Sequence, residues 1–335
     1  MKGCVLAERF TVGLDLGGTK LAGALVHSSG EILSFHKASI LHLKTGSPKI
    51  QQRQIIDLMA SMILNFKKEF PHAFQAPQFA GVGLASAGPM NVDKGCLLNP
   101  TNFPGWKTAP LQKDLMEILS RHRIKTPVAF QNDAIAAALA EGWMGGAKGL
   151  KSFAVVTIGT GIGSGVIFNG QPVQTNGMGS EFGHLIVQNN LINSSKDLRN
   201  NTVEGIASGT GILRRAKNMG FKGNSIEELV QTLESGEKKY QVLFDEAADA
   251  LAALCYNLSI GFNLEKILFS GGLIKVRSLY YERMKKRYLS LVNEMNPYFR
   301  CPIQVAKGLN QAGVLGAAYL PYLADFKRGP RSPRK

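Results

Sequence analysis

The chain has 335 residues, 44% of them hydrophobic and 19% charged, and 39 Lys and Arg against 24 Asp and Glu leave a formal net charge of +15. That is long enough for two domains with separate cores and too apolar for a disordered chain. No run of 18 apolar residues is present to span a bilayer, and Glu8 and Arg9 interrupt the first apolar stretch before a signal-peptide core forms.

The protein is therefore expected to be soluble and cytoplasmic. Four dispersed cysteines without a CxxC pair (Cys4, Cys96, Cys255, Cys301) exclude a disulfide framework and a cysteine zinc site and agree with a reducing compartment. Lys327, Arg328, Arg331, Arg334 and Lys335 place five positive charges in the last nine residues, beside glycine and proline, so 326–335 reads as a flexible basic tail. Nucleic acid, an anionic polymer or solvent alone would suit it. The remaining excess of about ten charges favours anionic small substrates such as nucleotide phosphates.

Elements follow from periodicity. Phe10–Leu16, Leu21–Val26 and Glu31–Phe35 read as three successive strands with turns at Gly17-Gly18-Thr19-Lys20 and Ser28-Ser29-Gly30. Ile55, Met59, Met62, Ile63, Phe66 and Phe70 recur at helical spacing up to Pro71. A buried strand is expected at Phe79–Leu84, a helix at Leu111–Ser120, a short strand at Val128–Phe130 and an alanine-rich helix at Ala134–Met144. The second half begins with a strand at Phe153–Ile158, a glycine-rich turn at Gly159–Gly165, and a strand at Val166–Phe168 closed by the hairpin pair Asn169-Gly170. Helices are expected near 204–218, 225–235, 240–262, 275–293 and 311–323, with strands at Ile267–Ser270 and near 303–306. Strand, glycine turn, strand thus occurs twice, as an internal duplication would produce. The class is α/β, with two similar lobes and a cleft between them.

No GK[ST] and no GxGxxG occurs, which removes the Walker-A loop and the dinucleotide fingerprint. The glycines of Asp15-Leu16-Gly17-Gly18-Thr19-Lys20 and Gly159-Thr160-Gly161 would let backbone N–H groups approach an anion, with hydroxyls from Thr19 and Thr160 and magnesium held by Asp15 through water. The alternative is two tight hairpins that need positive φ. Asn132-Asp133 before the alanine-rich helix suits either a helix cap or a hydroxyl-binding site, and the helix N-terminus would hold the Asp133 pKa low. Glu181 and His184, three apart after Gly177 and Gly179, would converge on one polar ligand or simply be solvated.

These segments resemble those of the ROK sugar kinases, together with Leu98–Trp106, Glu204–Gly209, Ser270-Gly271-Gly272 and Ala312–Ala318, in family order from about residue 10 to 320. The resemblance implies the actin-like, ribonuclease H-like fold in two lobes. The N-terminal lobe would be 1–130, rejoined by a helix at 312–325, and the C-terminal lobe 131–311. It also implies that Asp15, Gly17, Gly18, Thr19, Lys20, Gly159, Thr160 and Gly161 hold the phosphates of ATP, with Mg2+, and that Gly271 and Gly272 lie beside the adenosine. Asp133 would be the base for the sugar 6-hydroxyl, while Asn102, Asn132, Glu181, His184 and Glu204 would bind the other hydroxyls. Relatives are usually dimers, and closure on sugar would exclude water.

Many members follow the histidine with three cysteines that complete a structural zinc site. Here the interval Leu185–Val203 has none, and one histidine cannot hold zinc, so no zinc is expected and the loop must be ordered another way. Thr175 and Ser180 stand where the family often has glycine. Asn102-Phe103-Pro104-Gly105-Trp106 resembles the glucokinase branch, so glucose is the expected substrate, with N-acetylmannosamine, N-acetylglucosamine, fructose or allose as alternatives. The missing cysteines and Gly159–Gly165 also resemble the polyphosphate glucokinases. A sugar-sensing repressor of the same family would carry a helix-turn-helix, and only nine residues precede the first strand, so no sequence-specific nucleic-acid partner is expected. A non-catalytic sugar-binding protein would not need Asp133.

Overall fold

A computed structural model describes residues 8–174, 179–188, 194–306 and 311–328. Cys4, Thr175, Gly177 and the tail from 329 onward lie outside them.

The first sheet begins with β1 (Phe10–Leu16), β2 (Lys20–His27) and β3 (Ile32–Ser39), each antiparallel to the one before. Next comes α1 (Pro48–Glu69), which starts on a proline and buries Ile55, Ile56, Met59, Ala60, Met62, Ile63 and Phe66 along one stripe. β4 (Phe79–Ser86) then returns parallel to β1. Between it and the next helix lies a small antiparallel sheet of β5 (Met90–Asn91), β6 (Cys96–Leu98) and β7 (Thr108–Ala109). α2 (Leu111–Arg121) leads to β8 (Val128–Asn132), parallel to β4, and α3 (Asp133–Met144) follows without a loop. The strand order is β3-β2-β1-β4-β8.

The second half repeats this plan. β9 (Phe153–Ile158), β10 (Ile162–Phe168) and β11 (Gln171–Pro172) form the antiparallel part. The helices α4 (Ser195–Asn200), α5 (Val203–Ala207), α6 (Gly209–Asn218), α7 (Ile226–Glu234) and α8 (Gln241–Phe262) follow. Then β12 (Lys266–Ser270), α9 (Tyr281–Met295) and β13 (Ile303–Val305) complete the order β11-β10-β9-β12-β13, in which β9, β12 and β13 are parallel. In both sheets the first strand pairs antiparallel with the second and parallel with the fourth, the arrangement a duplication produces.

The last element, α10 (Ala312–Arg328), packs on β1, β4 and α3. Glycines permit this approach: a Cβ on Gly13 would overlap the Val314 carbonyl, one on Gly83 the Ala317 carbonyl, and one on Gly316 the Ala136 carbonyl. The contacts divide the described chain into two units. One holds the residues up to Lys148 together with α10, and the other holds Gly149–Val173 and the elements from Ser180 to β13. The first unit therefore extends beyond residue 130, where the sequence placed its end, because α3 packs against α10.

Other boundaries also move. α10 continues through Arg328, three residues into the expected tail. The glycine turn at 159 is shorter than expected, since β10 resumes at Ile162. The helix expected over 204–218 divides at Ser208, whose extended backbone lets its hydroxyl accept the Gly211 N–H at 3.0 Å and cap α6. The segment before α9 is a 3-10 helix over Gly272–Leu279. Cys96, Cys255 and Cys301 are unbridged and buried, and among the described residues no helix is long and apolar enough to cross a membrane.

Candidate active site

In the first unit, the β1–β2 turn carries Gly17, Gly18 and Thr19. The Gly17 N–H donates to the Lys20 carbonyl at 2.9 Å and closes the turn. Neither glycine lies in the left-handed region, so the positive-φ explanation fails here. A Cβ on Gly18 would instead come within 3.1–3.4 Å of the Asn102 side chain, which brings those two expected site residues together. The N–H groups of Gly18 and Thr19 meet no acceptor among the described residues, and Thr19 and Lys20 are exposed.

Asn102 is fixed from behind. Its carbonyl accepts from Lys44 Nζ at 2.6 Å, and that ammonium also lies 4.6 Å from the Phe103 ring centroid. Phe103 stacks on Trp106 at 4.3 Å, and Trp106 Nε1 donates to Gln51 Oε1 at 3.2 Å. Burial lowers the Lys44 pKa. The sequence reading missed Lys44, which stands alone in a segment without periodicity.

Asn132 and Asp133 sit where β8 passes directly into α3. Asn132 Oδ1 accepts the N–H of Ala134 at 2.9 Å and of Ile135 at 3.3 Å, so this residue is the N-cap. Its own N–H donates to Oε1 of buried Gln131 at 2.7 Å. Asp133 Oδ1 accepts the Ala134 N–H at 2.8 Å.

The helix N-terminus was expected to hold the Asp133 pKa low, yet the pKa is raised. Burial outweighs the backbone N–H groups that favour the carboxylate. Asp15 on β1 is pushed up to about 6, first by burial and then by the charge of Asp133. The two carboxylates therefore share one electrostatic environment. Gly313 of α10 presses on Asp15, where any Cβ would overlap its Oδ2. That role for Gly313 was not legible without the packing.

In the second unit, the β9–β10 turn holds Gly159, Thr160 and Gly161. Gly159 donates to the Gly161 carbonyl at 2.8 Å, its carbonyl accepts from Gly209 at 2.8 Å, and the Thr160 carbonyl accepts from Thr210 at 3.1 Å, so the start of α6 braces the loop. The N–H groups of Thr160 and Gly161 have no acceptor among the described residues. Gly159 and Gly272 have ordinary φ, and a Cβ on either would meet nothing within 4 Å. Neither strain nor packing among the described residues therefore demands glycine at these two positions, whereas close approach of a ligand would. Gly271 is different, with φ +98° and the Ile158 backbone against it.

Glu204, at the start of α5, accepts the Ile162 N–H through Oε2 at 2.7 Å and presses on Gly161. One oxygen of this expected sugar ligand is thus committed to shaping the β9–β10 turn. Glu181 and His184 occupy the two ends of a 3-10 turn, both exposed, with the His184 N–H on the Glu181 carbonyl at 3.0 Å. Ser180 tolerates φ +57° because its hydroxyl donates to the Val173 carbonyl at 2.8 Å and accepts the Val166 N–H at 3.3 Å.

The described ends of the cysteine-free interval are joined through backbone. Val187 donates to the Asn201 carbonyl at 2.9 Å, Val203 donates to the Leu185 carbonyl at 3.0 Å, and Ile186 bridges Thr202.

A glucokinase of Thermotoga maritima is 29% identical over 327 residues, which cover 92% of this chain and 95% of that protein. An N-acetylmannosamine kinase of Pasteurella multocida is 28% identical over 321 residues, covering 94% and 97%. The crystal structure of a ROK hexokinase from Thermus thermophilus matches with a TM-score of 0.81 at 28% identity, over 96% of this chain and all (100%) of that one. The actin-like, ribonuclease H-like α/β fold expected from the motifs is the fold this chain adopts. With the ROK family model matching residues 11–322, nearly the whole described span, the chain belongs to the ROK family.

Proposed function

We propose that this chain is an ATP-dependent hexose kinase acting on the 6-hydroxyl of glucose, with N-acetylmannosamine as the second candidate. Family membership alone does not carry this reading, because the family also holds regulators. The observation that carries it is Asp133. Its carboxylate stands at the first turn of α3 with its pKa raised by burial, and its charge in turn helps to raise that of Asp15. Such a group is a better proton acceptor than an ordinary surface aspartate. The two candidate sugars come from the relatives named glucokinase and N-acetylmannosamine kinase.

The residues present suit a nucleotide. Four loop N–H groups (Gly18, Thr19, Thr160, Gly161) lack acceptors among the described residues, and the open space over Gly159 and Gly272 admits a ligand against the backbone. Mg-ATP, when bound, supplies the transferred phosphoryl group. Gly17–Lys20 and Gly159–Gly161 would cradle its phosphates, Asp15 would hold magnesium through water, and Gly271 and Gly272 would lie beside the nucleoside. Asp133 would orient the sugar hydroxyl and accept its proton late in the transfer. Asn102, Asn132 through Nδ2, Glu181, His184 and Glu204 would pair the remaining hydroxyls. Sites that pair hydroxyls in this way reject analogues by leaving buried groups unpartnered.

The test is ADP release from Mg-ATP by the purified protein, with glucose compared against N-acetylmannosamine, N-acetylglucosamine and fructose. Fastest turnover on glucose is expected. Turnover on N-acetylmannosamine alone would move the substrate to the second candidate. Silence on every sugar with both ATP and polyphosphate would overturn the kinase reading.

A further inference from the structure

Lys44 follows the 3-10 turn of Leu41–Leu43 and lies just before α1. Among the described residues its charge pairs with no carboxylate. Its ammonium is instead spent on the Asn102 carbonyl, at 2.6 Å, and on the face of Phe103, 4.6 Å from the ring centroid. Holding a long, flexible side chain in one such pose costs rotamer freedom. Phe103 and Trp106 already bury this loop through their stacked rings, so packing alone needs no cation there.

The peptide that Lys44 holds is gripped from two sides. Its carbonyl, that of Asn102, accepts from Lys44, while its N–H, that of Phe103, donates to the Pro100 carbonyl at 3.0 Å. The ends of the loop are closed by the Asn99 N–H on the Lys107 carbonyl at 2.9 Å. The support is braced in turn by Gln51 of α1. Its Nε2 donates to the carbonyls of Lys44 at 3.3 Å and Gly46 at 3.0 Å, and its Oε1 accepts from Trp106 Nε1 at 3.2 Å. One amide therefore ties the backbone at Lys44 to the loop that Lys44 holds.

These contacts fix the backbone of residue 102 and leave its side chain free. The bond from Lys44 is the one hydrogen bond of Asn102 among the described residues, and its carboxamide has no partner there. That amide lies against Gly18, where a Cβ would come within 3.1–3.4 Å of it. A carboxamide without a partner on a fixed backbone is preorganised to donate to, and accept from, a ligand hydroxyl.

We propose that Lys44 is a positioning residue for sugar recognition: by holding the Asn102 carbonyl it sets the angle at which the Asn102 amide meets a hexose hydroxyl. Lys44 acts through Asn102 in this role, which rests on the hexose-kinase reading above.

Calorimetric titration of the full chain with glucose, N-acetylmannosamine and ADP, beside steady-state kinetics and thermal melting, tests it. Lys44→Met keeps the apolar stem and removes the donor and its charge. It should weaken the preferred sugar about tenfold, as loss of one charge-assisted hydrogen bond does. KM should rise to match while kcat at saturating sugar changes less than about threefold, and ADP affinity and melting temperature should hold. Asn102→Ala keeps the carbonyl but removes the amide, so adding Lys44→Met to it should weaken the sugar no further. Three results would each overturn this role: sugar affinity unchanged in Lys44→Met, an equal loss when Lys44→Met is added to Asn102→Ala, or sugar binding, ADP binding and melting temperature falling together. A wild-type chain that neither binds nor turns over a hexose would overturn the hexose reading itself, and this role with it.

Discussion

Asp15 and Asp133 set the acid–base behaviour expected of this protein. Burial raises both, and the Asp133 charge adds to the rise at Asp15, so the acidic limb of a turnover profile should carry both groups. With both pKa values raised, activity should climb across a range above that of ordinary aspartates, and kcat measured against pH checks this. Asp133→Asn keeps the shape of the site and removes the proton acceptor, so sugar binding should persist while kcat falls roughly 10²–10⁴-fold; near-normal turnover would remove Asp133 from its role. Asp15 also affects stability. Its folded pKa of about 6 lies above the usual aspartate value, so the folded state holds the proton more tightly and stability declines as pH rises from about 4 to 6. A shift of about two units corresponds to about 3 kcal/mol. Asp15→Asn should therefore raise the melting temperature at pH 8, have much less effect at pH 4, and impair catalysis at either pH. Equal melting temperatures at pH 8 would refute the burial argument. The sequence made Asp133 visible through its place before an alanine-rich helix but gave the wrong direction for its pKa. The helix N-terminus is a local feature, whereas the burial that outweighs it comes from strands and helices distant in sequence.

At the scale of elements, α10 is what places Asp133. It lies against α3 through Gly316, whose missing side chain lets the Ala136 carbonyl approach, one turn from Asp133. Gly316→Ala should gain about 1 kcal/mol of helix propensity but force α3 away, for a typical overpacking cost of about 1–3 kcal/mol. Both melting temperature and kcat should drop. Gly261→Ala is the matched control: Gly261 is exposed within α8, has ordinary φ, and a Cβ there meets nothing within 4 Å, so it should be neutral or stabilising by up to about 1 kcal/mol. If the two variants melt alike, close packing is not what Gly316 provides. Long helices such as α1 and α8 were legible because their apolar residues repeat at one period, and β4 because it is a short run of apolar and small residues, buried almost throughout. β5, β6 and β7, two or three residues each, carry no period and were not foreseen. The break at Ser208 was missed because a serine inside a helical pattern declares itself a cap only when its backbone is seen to be extended.

At the scale of the molecule, the repeated strand–glycine turn–strand motif announced two similar sheets, and their strand orders correspond position by position. The division of the chain was less legible, since the assignment of α3 depends on α10, nearly 180 residues later. The same scale decides what holds the cysteine-free interval. Relatives with a zinc site derive folding energy from metal, and chelation then destabilises such a fold. Here the described ends of the interval are held by the Val187–Asn201 and Val203–Leu185 backbone bonds, which need no metal. Dialysis against a strong chelator should leave the melting temperature unchanged, and elemental analysis of the purified protein should find no stoichiometric zinc. Turnover should vanish in the chelator and return on adding magnesium alone. A lowered melting temperature restored by zinc, but not by magnesium, would mean that other ligands have taken the place of the cysteines.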